Sequence, residues 1–499
     1  MDGRPAGPAP YGTTFHRLPW AEFDALARMA GNRSMVRRLR IAERSRRKLL
    51  LFAILEATAK VPERFGPLPA VEAVWDLLAR VERASPITFD RVLAHPYTGS
   101  WAGYVIRLLR NGHDGVGPLW IHLGHVHAVA AAAAIRARLT FQARIPLWHG
   151  NAALPTLGLA RLPESSSFAV AEVGGAPGDY AVSHGRQRVR LPDWPDEDGH
   201  GWWSIRRVHV TAGEHRFSVR LDDVDPYRGL YEPVPPERLA TAEVDEWRRM
   251  LGDAWHLLVT GLPDYAGQLA VGLDSLVPRP HVLFRNPSAS TGEAFGSAVV
   301  GRPTDPASLA ATLVHEFQHI LLGGVLHMTP LYEQDPRERI YVPWRDDPRP
   351  LAGAVQGVYA FLGVTRFWRA LARDGAGPLA RRAGFEFAYW RRQTWGTLQN
   401  LRDDTHLTDA GRRFVHGMAE VLEPWQHEPV ADDVAALAAA AAADHRAGWR
   451  MRHLRPDADV VAGLAQAWRA GRPRPPISLV RTDLSATPIP DGPWSHARA

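Results

Sequence analysis

The chain has 499 residues, no cysteine, a formal charge of +6 and an apolar share of 45%. That length allows a large buried core and roughly two to four domains, and the apolar share is ordinary for a globular chain. The missing cysteine excludes disulfides, thiolate zinc sites, cysteine-bound iron–sulfur clusters and a cysteine nucleophile, so any bound metal must be held by nitrogen and oxygen.

Residues 1–20 contain Pro5, Pro8 and Pro10 and no apolar run, so no signal segment is expected. Apolar spacing then predicts helices over 20–30, 48–59, 70–81, 101–110 and 125–139. The basic cluster from Arg37 to Lys48 alternates with apolar residues at helical spacing. It reads as a solvated helix face rather than a nucleic-acid patch. Alanine-rich stretches at 127–137 and 434–443 are too short or too charged to span a bilayer, which needs about twenty apolar residues. A cytoplasmic protein with no membrane and no nucleic-acid partner is the expectation.

Between about 145 and 225 the period changes to that of strands, at 168–171, 187–191 and 208–210, with a turn at Gly213 leading into 217–221. The acidic run from Asp222 to Arg228 lacks the glycine and terminal glutamate of a calcium loop and reads as a polar turn. Helical signals return at 242–258, 351–371, 379–398, 410–422, 430–445 and 458–470, before a Pro-rich tail. The expected fold is α+β, mainly α-helical, with a smaller antiparallel β region in the middle of the chain. Its expected parts are a helical region (1–145), a β-rich region (146–235), a catalytic region (236–430), a C-terminal helical region (431–475) and a tail (476–499).

The catalytic expectation rests on His315-Glu316-Phe317-Gln318-His319. Asp305-Pro306 gives an N-cap followed by proline at the first helical position, and Leu309, Leu313, Phe317, Ile320 and Leu321 continue at helical spacing. Histidines four apart share one helix face, so two imidazoles can hold one metal ion on a buried, zincin-like helix. A pair of hydrogen-bonded core histidines is the plain alternative. A zinc peptidase would use Glu316 to activate water and would need a third ligand. The extended pattern wants glycine at 322 and histidine at 325, where this chain has Leu322 and Val325, and His327 is out of register. The helix expected over 351–371 carries no Asp or Glu and offers Gln356 instead. Ahead of it, Pro343-Trp344-Arg345-Asp346-Asp347-Pro348-Arg349-Pro350 gathers two arginines and two aspartates. It reads either as a loop ion-pair network or as a clamp for a dicarboxylate. Ser288-Ala289-Ser290-Thr291 reads chiefly as a turn, with lining of the cleft as the alternative. Asp444-His445-Arg446 reads as a helix-end network.

The stretches 313–319, 343–350 and Gly357-Val358-Tyr359-Ala360-Phe361 closely resemble a bacterial family encoded near ribosomally made, modified peptides. Its members are named for the histidine-glutamate motif and understood as iron- and 2-oxoglutarate-dependent peptide β-hydroxylases. The resemblance extends to Phe15-His16-Arg17-Leu18-Pro19, Leu154-Pro155-Thr156-Leu157-Gly158, 222–228, Ala294-Phe295-Gly296 and 444–452. Some members are fused to a radical enzyme with cysteine-bound clusters, so a chain without cysteine corresponds to the stand-alone form. The resemblance implies Fe(II) held by His315 and His319, with 2-oxoglutarate and O2 as cosubstrates, and Zn(II) as the alternative metal. It implies Gln356 as third ligand, where many members have histidine; Asp346 or Asp347 would complete the more usual two-histidine, one-carboxylate set. Arg345 and Arg349 are the candidates for the distal carboxylate of 2-oxoglutarate, and Glu316 for a group that hydrogen-bonds water or orients a histidine. The implied partners are a precursor peptide and other peptide-maturation enzymes. A zinc peptidase and a non-catalytic peptide-binding partner are the competing functional classes.

Overall fold

The computed structural model describes residues 15–59, 61–112, 115–193, 196–283, 287–337, 340–374, 377–455, 458–473 and 483–484. The prolines at 5, 8 and 10 and most of the expected tail lie outside these. The chain opens with α1 (Trp20–Ala27), α2 (Arg33–Ala59), α3 (Val71–Ala84), α4 (Pro86–Leu93), α5 (Pro96–Asn111) and α6 (Leu119–Arg136). Nine strands follow: β1 (Phe141–Trp148), β2 (Asn151–Leu154), β3 (Gly158–Arg161), β4 (Phe168–Gly175), β5 (Ala181–His184), β6 (Gln187–Arg190), β7 (Trp202–Ser204), β8 (Arg206–Ala212) and β9 (His215–Leu221). Helices α7 (Thr241–Gly261) and α8 (Pro263–Gly272) lead to β10 (Ser275–Arg279), β11 (Ser288–Ala289) and β12 (Ser297–Gly301). The last helices are α9 (Pro306–Leu326), α10 (Leu351–Asp374), α11 (Gly377–Leu401), α12 (Asp409–Trp425), α13 (Asp432–His453) and α14 (Ala458–Arg469). The fold is α+β and mainly helical.

Strands β1 to β7 form one antiparallel sheet in the order β6-β5-β4-β1-β2-β3-β7, packed under α6. The second sheet, β11-β12-β10-β9-β8, extends beyond the expected middle of the chain. There β10 runs parallel to both β9 and β12. Its strands escape a search for alternation because β10 and β12 are buried along nearly their whole length. A strand covered on both faces has no polar side to mark it.

Two hydrophobic cores result. One joins α1, the start of α2, β8 and β9 to α7–α12, and the other joins the rest of α2 to α3–α6 and the seven-stranded sheet. Helix α2 belongs to both, giving Val36 and Leu39 to the first and Leu51, Ile54 and Leu55 to the second. Its basic cluster is not simply a solvated face. Arg47 is buried and donates to the carbonyls of Ala94, of His95 at 3.1 Å and of Phe295 at 3.0 Å. Arg38 pairs with Glu22, while Arg44 and Lys48 pair with Asp90. Helical spacing placed these residues on one helix but not in one environment.

The acidic run after β9 is a polar turn, and a deeply buried one. Asp222 accepts from the amides of Val224 and Asp225, and Asp225 accepts from that of Tyr227 at 2.8 Å. Asp223 takes a guanidinium bond from Arg238 at 2.9 Å, and Arg228 donates to the carbonyls of Asp225 and Pro235. Burial holds Asp222 and Asp225 above the usual carboxylate range, with the Asp223 charge adding to the first and the Asp222 charge to the second.

Among the described residues one helix, α9, is long and apolar enough to cross a membrane. It is mostly buried inside the protein, packed between α7, α10 and the second sheet.

Candidate metal centre

Helix α9 begins as its sequence dictates: Asp305 Oδ1 accepts from the Ser308 amide at 2.9 Å, and Pro306 occupies the first turn, where a missing N–H costs nothing. One helical turn separates His315 from His319, and their Nε2 atoms converge to 3.1 Å. Burial pushes His319 down to about 4 and, with His319 beside it, drives His315 well below the usual imidazole range. Both rings are therefore neutral near pH 7, with lone pairs available for a cation. His319 Nδ1 is buried without a hydrogen-bond partner.

Residue 316 lies about 100° further round the helix, so its carboxyl faces another wall. Glu316 is 1% exposed, and burial pushes it up to about 7 against the opposing hydrogen bonds of Ser288 and Ser290. Its Oε2 has no hydrogen-bond partner among the described residues. The serine cluster is thus more than a turn: β11 and the residue after it bring two hydroxyls to the motif glutamate. Thr291 then caps the short helical turn Gly292–Ala294. His327, off register for a metal, caps the end of α9 and binds buried Glu43 at 2.5 Å.

Helix α10 lies antiparallel along α9. The Phe361 ring meets His315 at 4.8 Å, while the Tyr359 carbonyl accepts from Gln318 Nε2 further along α9. A Cβ at Gly363 would stand 2.7 Å from Gln318 Cγ, so glycine permits the close approach. Counting back from Phe361 by the helical rise brings Gln356 level with the turn of His319. Gln356 Nε2 donates to the Tyr332 hydroxyl at 3.3 Å, which leaves its amide oxygen without a hydrogen bond among the described residues.

The loop before α10 is pinned by reciprocal backbone bonds between Ile340 and Arg349. Tyr341 fastens it to α13, with its hydroxyl 2.9 Å from His445 Nδ1 and its ring beneath Arg446. The helix-end residues at 445 and 446 therefore dock this loop. Within it, Arg345 Nε and Arg349 Nη1 bind opposite oxygens of Asp347, at 2.8 and 2.9 Å. Asp346 pairs with Arg452 at 3.2 Å. Both aspartates are engaged by arginine, and the described residues contain no group of three His, Asp or Glu that could hold a metal.

Trp344 stacks on Phe361 at 4.8 Å, and Phe361 stacks on Trp390 at 4.1 Å. Trp344 and Phe361 lie in stretches the sequence singles out, but nothing in it shows that they stack with Trp390, because the three rings come from a loop and two helices. Gly357 makes room for the column: an added Cβ would collide with the Trp344 indole.

The donor set fits a divalent metal held by two imidazole nitrogens, with amide oxygen from Gln356 as the available complement. In comparisons with known proteins, no family model matches this chain and no curated protein matches it.

Proposed function

We propose that this protein is a cytoplasmic iron(II)- and 2-oxoglutarate-dependent hydroxylase that acts on a side-chain β-carbon of a ribosomally made precursor peptide. The observation that carries the reading is the 3.1 Å convergence of two neutral imidazoles beside a helix with no acid from Leu351 to Leu371. Two nitrogens without a firm third ligand leave positions for a bidentate oxo acid and dioxygen. The resemblance of 313–319, 343–350 and 357–361 to the peptide β-hydroxylases supplies the substrate class.

In this reading His315 and His319 hold the metal, with Gln356 as the third candidate. The bound iron would couple oxidative decarboxylation of 2-oxoglutarate to insertion of one oxygen atom into a C–H bond. Arg345 and Arg349 would take the distal carboxylate by releasing Asp347, exchanging one carboxylate partner for another. The Trp344–Phe361–Trp390 column shields His315 from water and offers a flat face to a peptide. Glu316, turned toward Ser288 and Ser290 on the β11 side of the helix, keeps its proton below about pH 7.

One observation favours a second reading. A carboxyl raised to about 7 and adjacent to a metal histidine suits the general base of a zinc peptidase. The two are separated by incubating the protein with iron(II), 2-oxoglutarate, air and a candidate precursor peptide. Succinate and a peptide heavier by one oxygen are expected; cleavage of the peptide without 2-oxoglutarate would replace the oxygenase with a hydrolase. His319→Ala is expected to weaken Co(II) binding, followed by its visible absorption, by at least about a hundredfold. Undiminished binding would remove the histidine pair from the metal site.

A further inference from the structure

A cavity of about 260 Å³ lies between α6, the first sheet and the segment after β9, and no residue of α9 or α10 lines it. His125 and Ala128 of α6 and Tyr227 form its buried base, while Val116, His149 and Pro235 stand exposed at its margin. Its lining residues include no Lys, Arg, Asp or Glu. A charged occupant would lose hydration there without a counter-charge, so the cavity suits a neutral one.

The base is held in place from several sides. Asp225 fixes the Tyr227 amide, and Ser100 donates to the Tyr227 carbonyl at 2.7 Å. The Tyr227 hydroxyl is already engaged with His122 Nδ1 at 3.0 Å, and His122 Nε2 with the Val116 carbonyl at 2.7 Å. Five prolines, at 146, 226, 233, 235 and 236, stiffen the remaining wall.

His125 differs from these neighbours. It is only 6% exposed, lines the cavity, and makes no hydrogen bond with any described residue. Burial pushes it down to about 3, so the ring is a neutral donor and acceptor rather than a cation. Its ring meets that of Tyr227 edge-on at 4.6 Å, and Trp148 adds a third ring to the lining. Among the described residues the Trp148 indole N–H is buried without a partner. A polar group with no protein partner beside an open cavity is free to bond whatever fills that space.

We propose that this cavity is a second ligand site, separate from the metal centre, which binds a neutral aromatic ring bearing a hydroxyl group. A hydroxyl both donates and accepts, and so satisfies a neutral imidazole in either tautomer. The aromatic walls take the flat ring, and the volume exceeds the roughly 150 Å³ that suffices for benzene. Such a phenol has two sources, a tyrosine side chain of a peptide or a free phenolic molecule.

The test uses 4-fluorophenol and the full-length protein, followed by 19F NMR. Saturable binding is expected, about tenfold tighter than that of fluorobenzene, which has the ring without the hydroxyl. His125→Phe keeps a ring and removes both nitrogens; it is expected to abolish that preference. Ala153→Leu, which fills the cavity from β2, is expected to weaken both probes. No saturation by 4-fluorophenol, or equal binding of the two probes to the unaltered protein, would overturn the proposal even if a variant fails to fold. Displacement of bound 4-fluorophenol by N-acetyl-tyrosinamide identifies a peptide source; retention with that compound in excess identifies a free phenolic.

Discussion

Glu316 carries an electrostatic cost on α9. Its carboxyl is raised to about 7, so the folded protein binds this proton more tightly than the unfolded chain does. The stabilisation is complete below the ordinary glutamate range and is lost as pH rises through about 7. In metal-free protein, Glu316→Gln is therefore expected to gain stability relative to the parent between pH 5 and 8, by ~3 kcal/mol, and to level off above. Urea unfolding across that range measures it, and a constant difference would mean the carboxyl is not buried as described. At this scale the sequence was informative about identity and silent about direction. The four-residue spacing placed His315 and His319 on one face, and the structure brings their nitrogens together. It could not say that Glu316 turns toward Ser288 and Ser290, because that depends on where β11 lies. For the third ligand the resemblance put Gln356 first, with Asp346 or Asp347 as alternatives; what the sequence could not show is that arginines pair with both aspartates.

Elements with a clear start signal or period are legible in the sequence. Asp305-Pro306 announces α9, and the expected helix from 351 corresponds to α10, which runs on to Asp374. Helix α4 was overlooked, although Ser85-Pro86 precedes it, because eight residues give barely two turns of periodicity. Strands β10 and β12 were overlooked because complete burial erases alternation. Where elements meet, small residues decide the outcome. Replacing Gly357 with alanine forces the Trp344 indole off α10 and breaks the ring column beside His315. The expected loss is about 1–3 kcal/mol of stability, typical of overpacking. Unfolding in urea with the same midpoint as the parent would show that Trp344 moves aside freely.

For the molecule as a whole, pH acts on two opposed sets of buried groups. His95, His125, His127, His315 and His319 are all held below the usual imidazole range by burial. Their contribution is complete above about 6.5 and falls as pH drops, since only the unfolded chain takes up those protons. Glu316 and the Asp222–Asp225 pair act in the reverse sense, losing stability as pH rises. Above about pH 7.5 the unfolded histidines are almost fully deprotonated, and the carboxylates set the slope. Metal-free protein is accordingly expected to unfold at lower urea at about pH 8.5 than at about pH 7.5; a higher midpoint at the upper pH would contradict the burial of these acids.

Helix α2 spans about 40 Å at the usual rise, with one end in each core and Arg47 tied between the end of α4 and Phe295. Such a shared beam makes the two halves thermally inseparable, because melting either one removes an anchor from the other. Calorimetry should record one heat-absorption peak rather than two. Neither half is then a natural cassette, so moving the His315–His319 pair into another protein would mean taking the sheet and its aromatic cavity along with it.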